Sequence, residues 1–439
     1  MLLIRNGRLI DPASGTQGER DILIQNGTIA RIAPRLRDGD LPPAEKENDS
    51  LSVLDAGGFA VMPGFVDTHS HFRDPGFTEK EDLKTGAAAA AAGGYTTVIL
   101  MGNTRPPVCT VETLQDILRR GALTPIHLLS CANVTRNMEG RELTDMRSLR
   151  AAGAACFTDD GRPLLDAALL GQALRTAREL DVPVSLHEED PAFVPNPGVN
   201  AGGSAAARLG LIGADRNAEI SMVRRDLEIA VRLGAPLCIQ HISAAESVDL
   251  VRAARRRNPR IHAEATPHHF SLTEEAVIRK GTLARCNPPL RLERDRQAIV
   301  EALADGVIDI IATDHAPHTA AEKARPFAQA PSGMIGLETA FSLGLKNLVL
   351  PGVLPLSQLV ADLTVNPAAF YHLPAGRIAA GAPANLCIAD LHATWTVGPD
   401  FASKASNSPF IGETLPGVIR YTIAGGRIVF QSRRRQPRH

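Results

Sequence analysis

A (β/α)8 barrel with a small β-sandwich built from both chain ends is the α/β architecture this sequence predicts, on three observations. Between residues 63 and 374, eight apolar strand-like runs alternate with helical patterns. Clusters rich in His and Asp follow several of those runs rather than one. Residues 1–62 and 375–439 each consist of short strands broken by Gly and Asn, with too little apolar surface for a core of their own.

The N-terminal part reads as strands at Leu2–Arg5, Arg8–Ile10, Asp21–Gln25, Thr28–Ile32 and Ala60–Val61, with the polar stretch Arg37 to Ser52 as an exposed loop. The barrel strands are predicted at Gly64–Asp67, Thr96–Leu100, Ile126–Ser130, Ala154–Phe157, Val182–Leu186, Pro236–Gln240, Ile261–Ala263 and Ile308–Ala312. Helical segments such as Ser221–Leu233 and Glu246–Arg256 separate them, with apolar positions recurring every three or four residues. The C-terminal part adds Asn385–Ala389, Gly417–Ile423 and Arg427–Val429, with Gly425-Gly426 as a tight turn. Arg433–Arg435 and Arg438 form a solvated basic tail. A doubly wound open sheet is the competing fold. The barrel is favoured because it brings the carboxyl ends of all its strands to one face, where polar clusters after many different strands can meet.

Composition narrows the function classes. The 439 residues are 44% hydrophobic with a formal net charge of −1, so neither nucleic-acid nor membrane affinity is expected. No apolar run approaches the ~20 residues of a membrane span. The N-terminus runs straight into a strand pattern, so a signal peptide is not expected and a cytoplasmic location is. Six cysteines without paired spacing read as reduced, buried thiols.

The chemistry sits in the strand ends. In extended backbone His69 and His71 share a face, and two imidazoles side by side can hold one metal from one side. Strand four runs into Asp159-Asp160, strand five ends at His187, strand six at His241 and strand eight at Asp314. Each residue alone has a structural explanation: a core histidine bonded to a carbonyl, or an aspartate capping the next helix. Together, four His and two Asp are too many for one tetrahedral metal and suit two metals sharing a carboxylate. Zinc fits this set, as do Mn²⁺, Co²⁺ or Fe²⁺. Spacing leaves open which of Asp159 and Asp160 faces inward. His268 and His269, after strand seven, stay undecided, whereas His127, His262, His372, His392 and His439 read as structural.

These motifs resemble the cyclic amidohydrolase superfamily and, within it, the type I dihydroorotases. The resemblance runs through His69-Ser-His71-Phe-Arg73-Asp-Pro-Gly, Gly102-Asn103-Thr-Arg-Pro, Phe157-Thr-Asp-Asp160-Gly, His187-Glu-Glu-Asp and Thr266-Pro-His-His. It continues through Asn287-Pro-Pro-Leu-Arg291, Ala312-Thr-Asp314-His-Ala-Pro-His318, Pro331-Ser-Gly333-Met-Ile-Gly and Ser403-Lys-Ala-Ser-Asn-Ser-Pro-Phe. It implies two Zn²⁺ per chain held by His69, His71, Asp160, His187, His241 and Asp314, and so selects Asp160. It further implies that Arg73, Asn103 and His318 grip a ring carboxylate, and that Asn287 with the backbone around Ser332 and Gly333 binds the ring edge. Asp314 would be both ligand and proton shuttle. The chain departs from the common family form at Phe72, often Leu, and Ser332, often an aromatic. Thr319–Ile335 reads as a mobile loop over the site.

The implied reaction is reversible hydrolysis of dihydroorotate to N-carbamoyl-L-aspartate in de novo pyrimidine biosynthesis, by a homo-oligomer. Hydantoinases and allantoinases share the pattern but bridge their metals with a carboxylated lysine after strand four. This chain has no lysine between Lys84 and Lys280, which disfavours that class. Non-catalytic subunits that scaffold aspartate transcarbamoylase lack the metal ligands. All six positions are filled here, which argues against a pure scaffold while leaving room for a complex with that enzyme.

Overall fold

In the computed structural model residues 1–37, 39 and 51–432 are described; the Arg433–Arg438 tail, His439 and most of the polar stretch after Arg37 lie outside them. Among the described residues, fifteen strands form three sheets. The first is mixed and draws on both chain ends: β1 (Leu2–Asp11), β2 (Thr16–Gln25), β3 (Thr28–Ala33), β4 (Ser52–Asp55), β5 (Ala60–Pro63), and, from the far end, β13 (Leu386–Thr396), β14 (Thr414–Ala424) and β15 (Arg427–Gln431). Its order is β15-β14-β13-β5-β1-β2-β3, with β4 beside β1. The seam between the two termini is the antiparallel register Leu386↔Pro63 through Ala389↔Ala60.

Alternation along that seam explains why neither end folds alone. Val61, Leu386 and Ile388 point into a cluster with Ile4, Ile22, Ile24 and Ile423. Ala60, Met62, Cys387 and Ala389 point the other way, into the main core with Phe65, Tyr95 and Phe341. Gly64 then links β5 to β6. A Cβ there would lie 2.2 Å from Thr96 Oγ1, so no larger residue fits this crossing.

The other two sheets are parallel: β6 (Phe65–Ser70), β7 (Tyr95–Leu100) and β8 (His127–Ser130); and β9 (Val184–Leu186), β10 (Leu237–Ile239), β11 (Ile261–Ala265) and β12 (Ile310–Ile311). The run predicted as strand four is reduced to single bridges, Ala132↔Phe157 and Phe157↔Val184, which join β8 to β9. A bridge Ser70↔His315 links β6 to the end of β12. Helices fill the connections, among them Leu83–Ala92, Val111–Gly121, Ala167–Glu179, Asn217–Leu233, Ala245–Arg255 and Glu293–Ala304. Leu83–Ala92 starts where Asp82 accepts from the Lys84 and Thr85 amides, a capping box that contributes about 1 kcal/mol. All six cysteines are free thiols and five are buried. Among the described residues no helix is long and apolar enough to cross a membrane.

Candidate active site

The carboxyl ends of β6, β9, β10 and β12, with the turn after Phe157, meet at one cavity of about 340 Å³. His71, Asp160, His187, His241 and Asp314 line it, and Arg73, Asn103, Asn287, His318, Ser332 and Gly333 line the same cavity. His69 lies behind the wall, wholly buried.

Asp160 is the hub. Its Oδ1 lies 3.4 Å from His69 Nε2 and 3.7 Å from both His187 Nδ1 and His241 Nε2, and its Oδ2 lies 3.4 Å from His71 Nε2. Asp314 Oδ1 lies 3.0 Å from His71 Nε2 and 3.6 Å from His69 Nε2. Asp159 turns away and accepts from the Val134 and Thr135 amides and the Thr135 hydroxyl, so its carboxylate is taken up in tying two loops together. Backbone direction after Phe157 therefore separates two residues that sequence spacing could not.

Three of the four imidazoles have a partner on the nitrogen that faces away from the aspartates. His69 Nδ1 sits 2.5 Å from Glu264 Oε1, and His71 Nδ1–H donates to Asn103 Oδ1 at 3.0 Å. Both rings thus turn Nε2 toward the two aspartates. Asn103 also donates toward Asp160 Oδ2 at 3.3 Å, so it braces the cluster as well as lining the cavity. His187 has Glu189 at 3.6 Å from its Nε2 while its Nδ1 faces His241 Nε2 at 2.9 Å.

This cluster fits cations. His69 Nε2 is buried with no hydrogen-bond partner, and two ring nitrogens face each other across 2.9 Å. Asp160, Asp314 and Glu264 bury three carboxylates around four imidazoles, an excess of negative charge that is costly unless neutralised. Burial works against a charged His69, yet Glu264 and Asp160 outweigh it and raise its proton affinity well above the usual imidazole value. The same field favours a metal ion. The groupings His69–Asp160–His241 and His69–His71–Asp314 each place their ligand atoms within 4.8 Å of one another. A third such grouping, His268–His269–Cys286, is less suited. The Thr266 hydroxyl (2.8 Å) and the Pro288 carbonyl (3.0 Å) already occupy both nitrogens of His269.

Arg73 supplies the cationic side. Its Nε donates to the Pro317 carbonyl at 3.3 Å and its Nη2 lies 3.4 Å from His318 Nε2, but no described carboxylate pairs with it. Burial lowers its proton affinity, and the charges of Asp314, Asp160 and Glu322 partly restore it. His318 donates from Nε2 to the Ser332 carbonyl at 2.9 Å; burial, then the nearby Arg73, Lys80 and Lys323, depress its pKa to about 2. Ser332 donates to Asn287 Oδ1 at 3.0 Å and accepts from Arg285 Nε at 3.1 Å. Within the segment Thr319–Ile335, the buried Lys323 Nζ donates to the Pro331 and Gly333 carbonyls at 2.9 Å.

Three non-glycine cavity residues adopt left-handed backbone: Arg73 (φ 60°), His241 (φ 31°) and Asp314 (φ 45°). Such conformations cost of order 1–3 kcal/mol each and persist where surrounding bonds hold them. Asp67 provides one such hold, accepting from the Thr313 amide at 2.8 Å and hydroxyl at 2.6 Å, directly before Asp314. Sequence reasoning missed Asp67 and Glu264. Each is an acid within a buried stretch of barrel strand, Asp67 in Phe65–Ser70 and Glu264 in Ile261–Ala265, which was the available signal.

The family model described as the amidohydrolase family matches residues 60–429. A curated dihydroorotase of Clostridium acetobutylicum is 49% identical over 434 residues, covering 99% of this chain and 100% of that one. The dihydroorotase of Clostridioides difficile is 48% identical, covering 98% and 100%. Among solved structures, an L-hydantoinase (dihydropyrimidinase) from Arthrobacter aurescens superposes with a TM-score of 0.86 at 24% identity, over 98% of this chain and 96% of that one. A D-hydantoinase from a Thermus species gives 0.84 at 24%, over 98% and 95%. At that identity the structural likeness carries the fold alone.

Proposed function

This chain belongs to the amidohydrolase family, and within it we propose a dihydroorotase: reversible, metal-dependent hydrolysis of the cyclic amide of (S)-dihydroorotate to N-carbamoyl-L-aspartate in pyrimidine biosynthesis. The observation that carries the substrate class is Arg73, a guanidinium with no carboxylate partner among the described residues, which shares one cavity with the His/Asp cluster. A ring bearing a carboxylate satisfies that fork; an uncharged ring leaves it desolvated and unpaired.

The ligand set proposed is His69, His71, Asp160, His187, His241 and Asp314, holding two divalent ions, zinc being the best match to imidazole and carboxylate. When bound, the ions would polarise the ring carbonyl and lower the pKa of water toward 7. The remaining work falls to side chains. Burial alone would raise the pKa of Asp314, but the bond from His71 and the charge of His69 hold it well below the usual carboxylate range. As a carboxylate it can take a proton from the attacking water and deliver it to the leaving ring nitrogen. Arg73, with His318 and Asn103, orients the carboxylate, while Asn287, Ser332 and Gly333 meet the ring edge. For His318 this means exchanging its bond to the Ser332 carbonyl for one to substrate.

We also read the two parallel sheets and their three connecting bridges as one closed barrel over residues 63–374, with 1–62 and 375–439 forming the sandwich. A cytoplasmic homo-oligomer, able to associate with aspartate transcarbamoylase, is the assembly we propose. A hydantoinase-type activity is disfavoured by Asp160, rather than lysine, at the hub.

The test is elemental analysis of the purified protein combined with assays on dihydroorotate, allantoin and dihydrouracil. Close to two metals per chain and preference for dihydroorotate are expected. One metal surviving saturating zinc would refute the binuclear centre, and faster turnover of either uncharged ring would refute the substrate class.

A further inference from the structure

The segment Ser403–Phe410 stands out in the sequence, and the proposed chemistry leaves it without a task. Its Asn407 is only 3% exposed and commits both ends of its amide to two other segments. Oδ1 accepts from the His318 backbone amide at 3.1 Å. Nδ2 donates to the Ala316 carbonyl at 3.0 Å and to the Gly333 carbonyl at 3.1 Å. Its own carbonyl accepts from the Ile335 amide at 3.1 Å. One residue from the C-terminal segment therefore clips the loop carrying His318 to the loop carrying Ser332 and Gly333.

The spacing it sets is tight. Gly333 has φ 124°, and a Cβ on it would lie 2.6 Å from Ala316 Cβ and 3.3 Å from His318 Nε2. The two loops are thus in van der Waals contact where they face the cavity, and a shift of a few tenths of an ångström would change what His318 and Gly333 present. Among the described residues the Asn407 side chain bonds to the backbone of Ala316, His318 and Gly333 and not to the His/Asp cluster, so its effect on binding is separable from metal ligation.

We propose that Asn407 is a positioning residue for substrate: through the His318 and Ser332–Gly333 loops it sets the grip on the ring carboxylate and ring edge. The proposal rests on the dihydroorotase reaction above. Asn407→Asp keeps the size and the acceptor for His318 but loses both donations, and it sets a carboxylate oxygen against the Ala316 and Gly333 carbonyls. Asn407→Ser keeps one hydroxyl able to serve one of them.

The experiment measures kcat, KM and metal content for the full-length, zinc-reconstituted wild type and both variants with dihydroorotate. The Asp variant should raise KM by about tenfold or more and the Ser variant by less, with kcat within about threefold and metal content unchanged. KM within about twofold of wild type in both variants overturns the proposal, as does loss of kcat or metal at constant KM. If the Asp variant does not fold, an unchanged KM in the Ser variant overturns it alone. Wild type inert toward dihydroorotate would strike the proposed reaction instead, and that assay is read before any variant.

Discussion

His69 presents its Nδ1 to Glu264 Oε1 at 2.5 Å, with both side chains wholly buried, so a carboxylate on β11 aims an imidazole on β6. Across 195 residues of sequence this pair fixes which nitrogen of His69 faces Asp160 and Asp314. Glu264→Gln retains an acceptor but removes the charge. Loss of such outer partners typically weakens metal affinity by about 10–100-fold. Competition with a metallochromic chelator should therefore show weakened retention of metal, with the fold intact by circular dichroism. Unchanged affinity would reduce Glu264 to a packing role.

Arg73→Lys replaces a planar fork by a point charge. A hydrogen bond to a charged group contributes about 1.5–3 kcal/mol, so KM for dihydroorotate should rise by roughly ten- to a hundredfold at unchanged metal content. Near-normal kinetics would mean that the carboxylate is held elsewhere.

Asp314→Asn should lower kcat by about 10²–10⁴-fold even when wild type and variant are compared at equal zinc occupancy, because the amide can neither accept nor return the proton. Turnover within a few-fold of wild type would leave Asp314 a ligand only. The shuttle would then have to be sought at His315, His318 or the carboxylates after β9.

The pH profile tests His318. Its depressed pKa, about 2, means that the ring is neutral throughout the working range and gains no charge as pH falls through the ordinary imidazole value of about 6.5. KM for dihydroorotate measured from about pH 5.5 to 8.5 should show no step that Asn at position 318 abolishes. Such a step would establish a charged His318 in the substrate complex.

What was legible in the sequence is what depends on local pattern. Apolar runs placed the parallel strands, because a strand buried on both faces is rich in Val, Ile and Leu, as in residues 98–100 and Leu237–Ile239. The termini of that pattern marked His69, His71, His187, His241 and Asp314, and the structure gathers all of them around Asp160. Strand four, Ala154–Phe157, is assigned only single bridges at Phe157, although the Ala155 amide donates to the Ser130 carbonyl and the Cys156 carbonyl accepts from the Ala132 amide.

Other features depend on distance in space, and the local pattern does not name their partners. Glu264 reaching His69, Asp67 pinning Thr313, Asn103 turning from cavity wall to imidazole brace and Asn407 clipping two loops are all contacts between residues far apart in sequence. Left-handed backbone at Arg73, His241 and Asp314 likewise follows from bonds made after the strands assemble, not from the residues' own preferences. Sequence alone determined which residue types stand at the strand ends, because period and polarity are properties of neighbours in the chain. Tertiary structure alone decided which nitrogen, which aspartate and which loop face the cavity, because a hydrogen bond is set by direction within a few tenths of an ångström, and only the folded chain fixes direction.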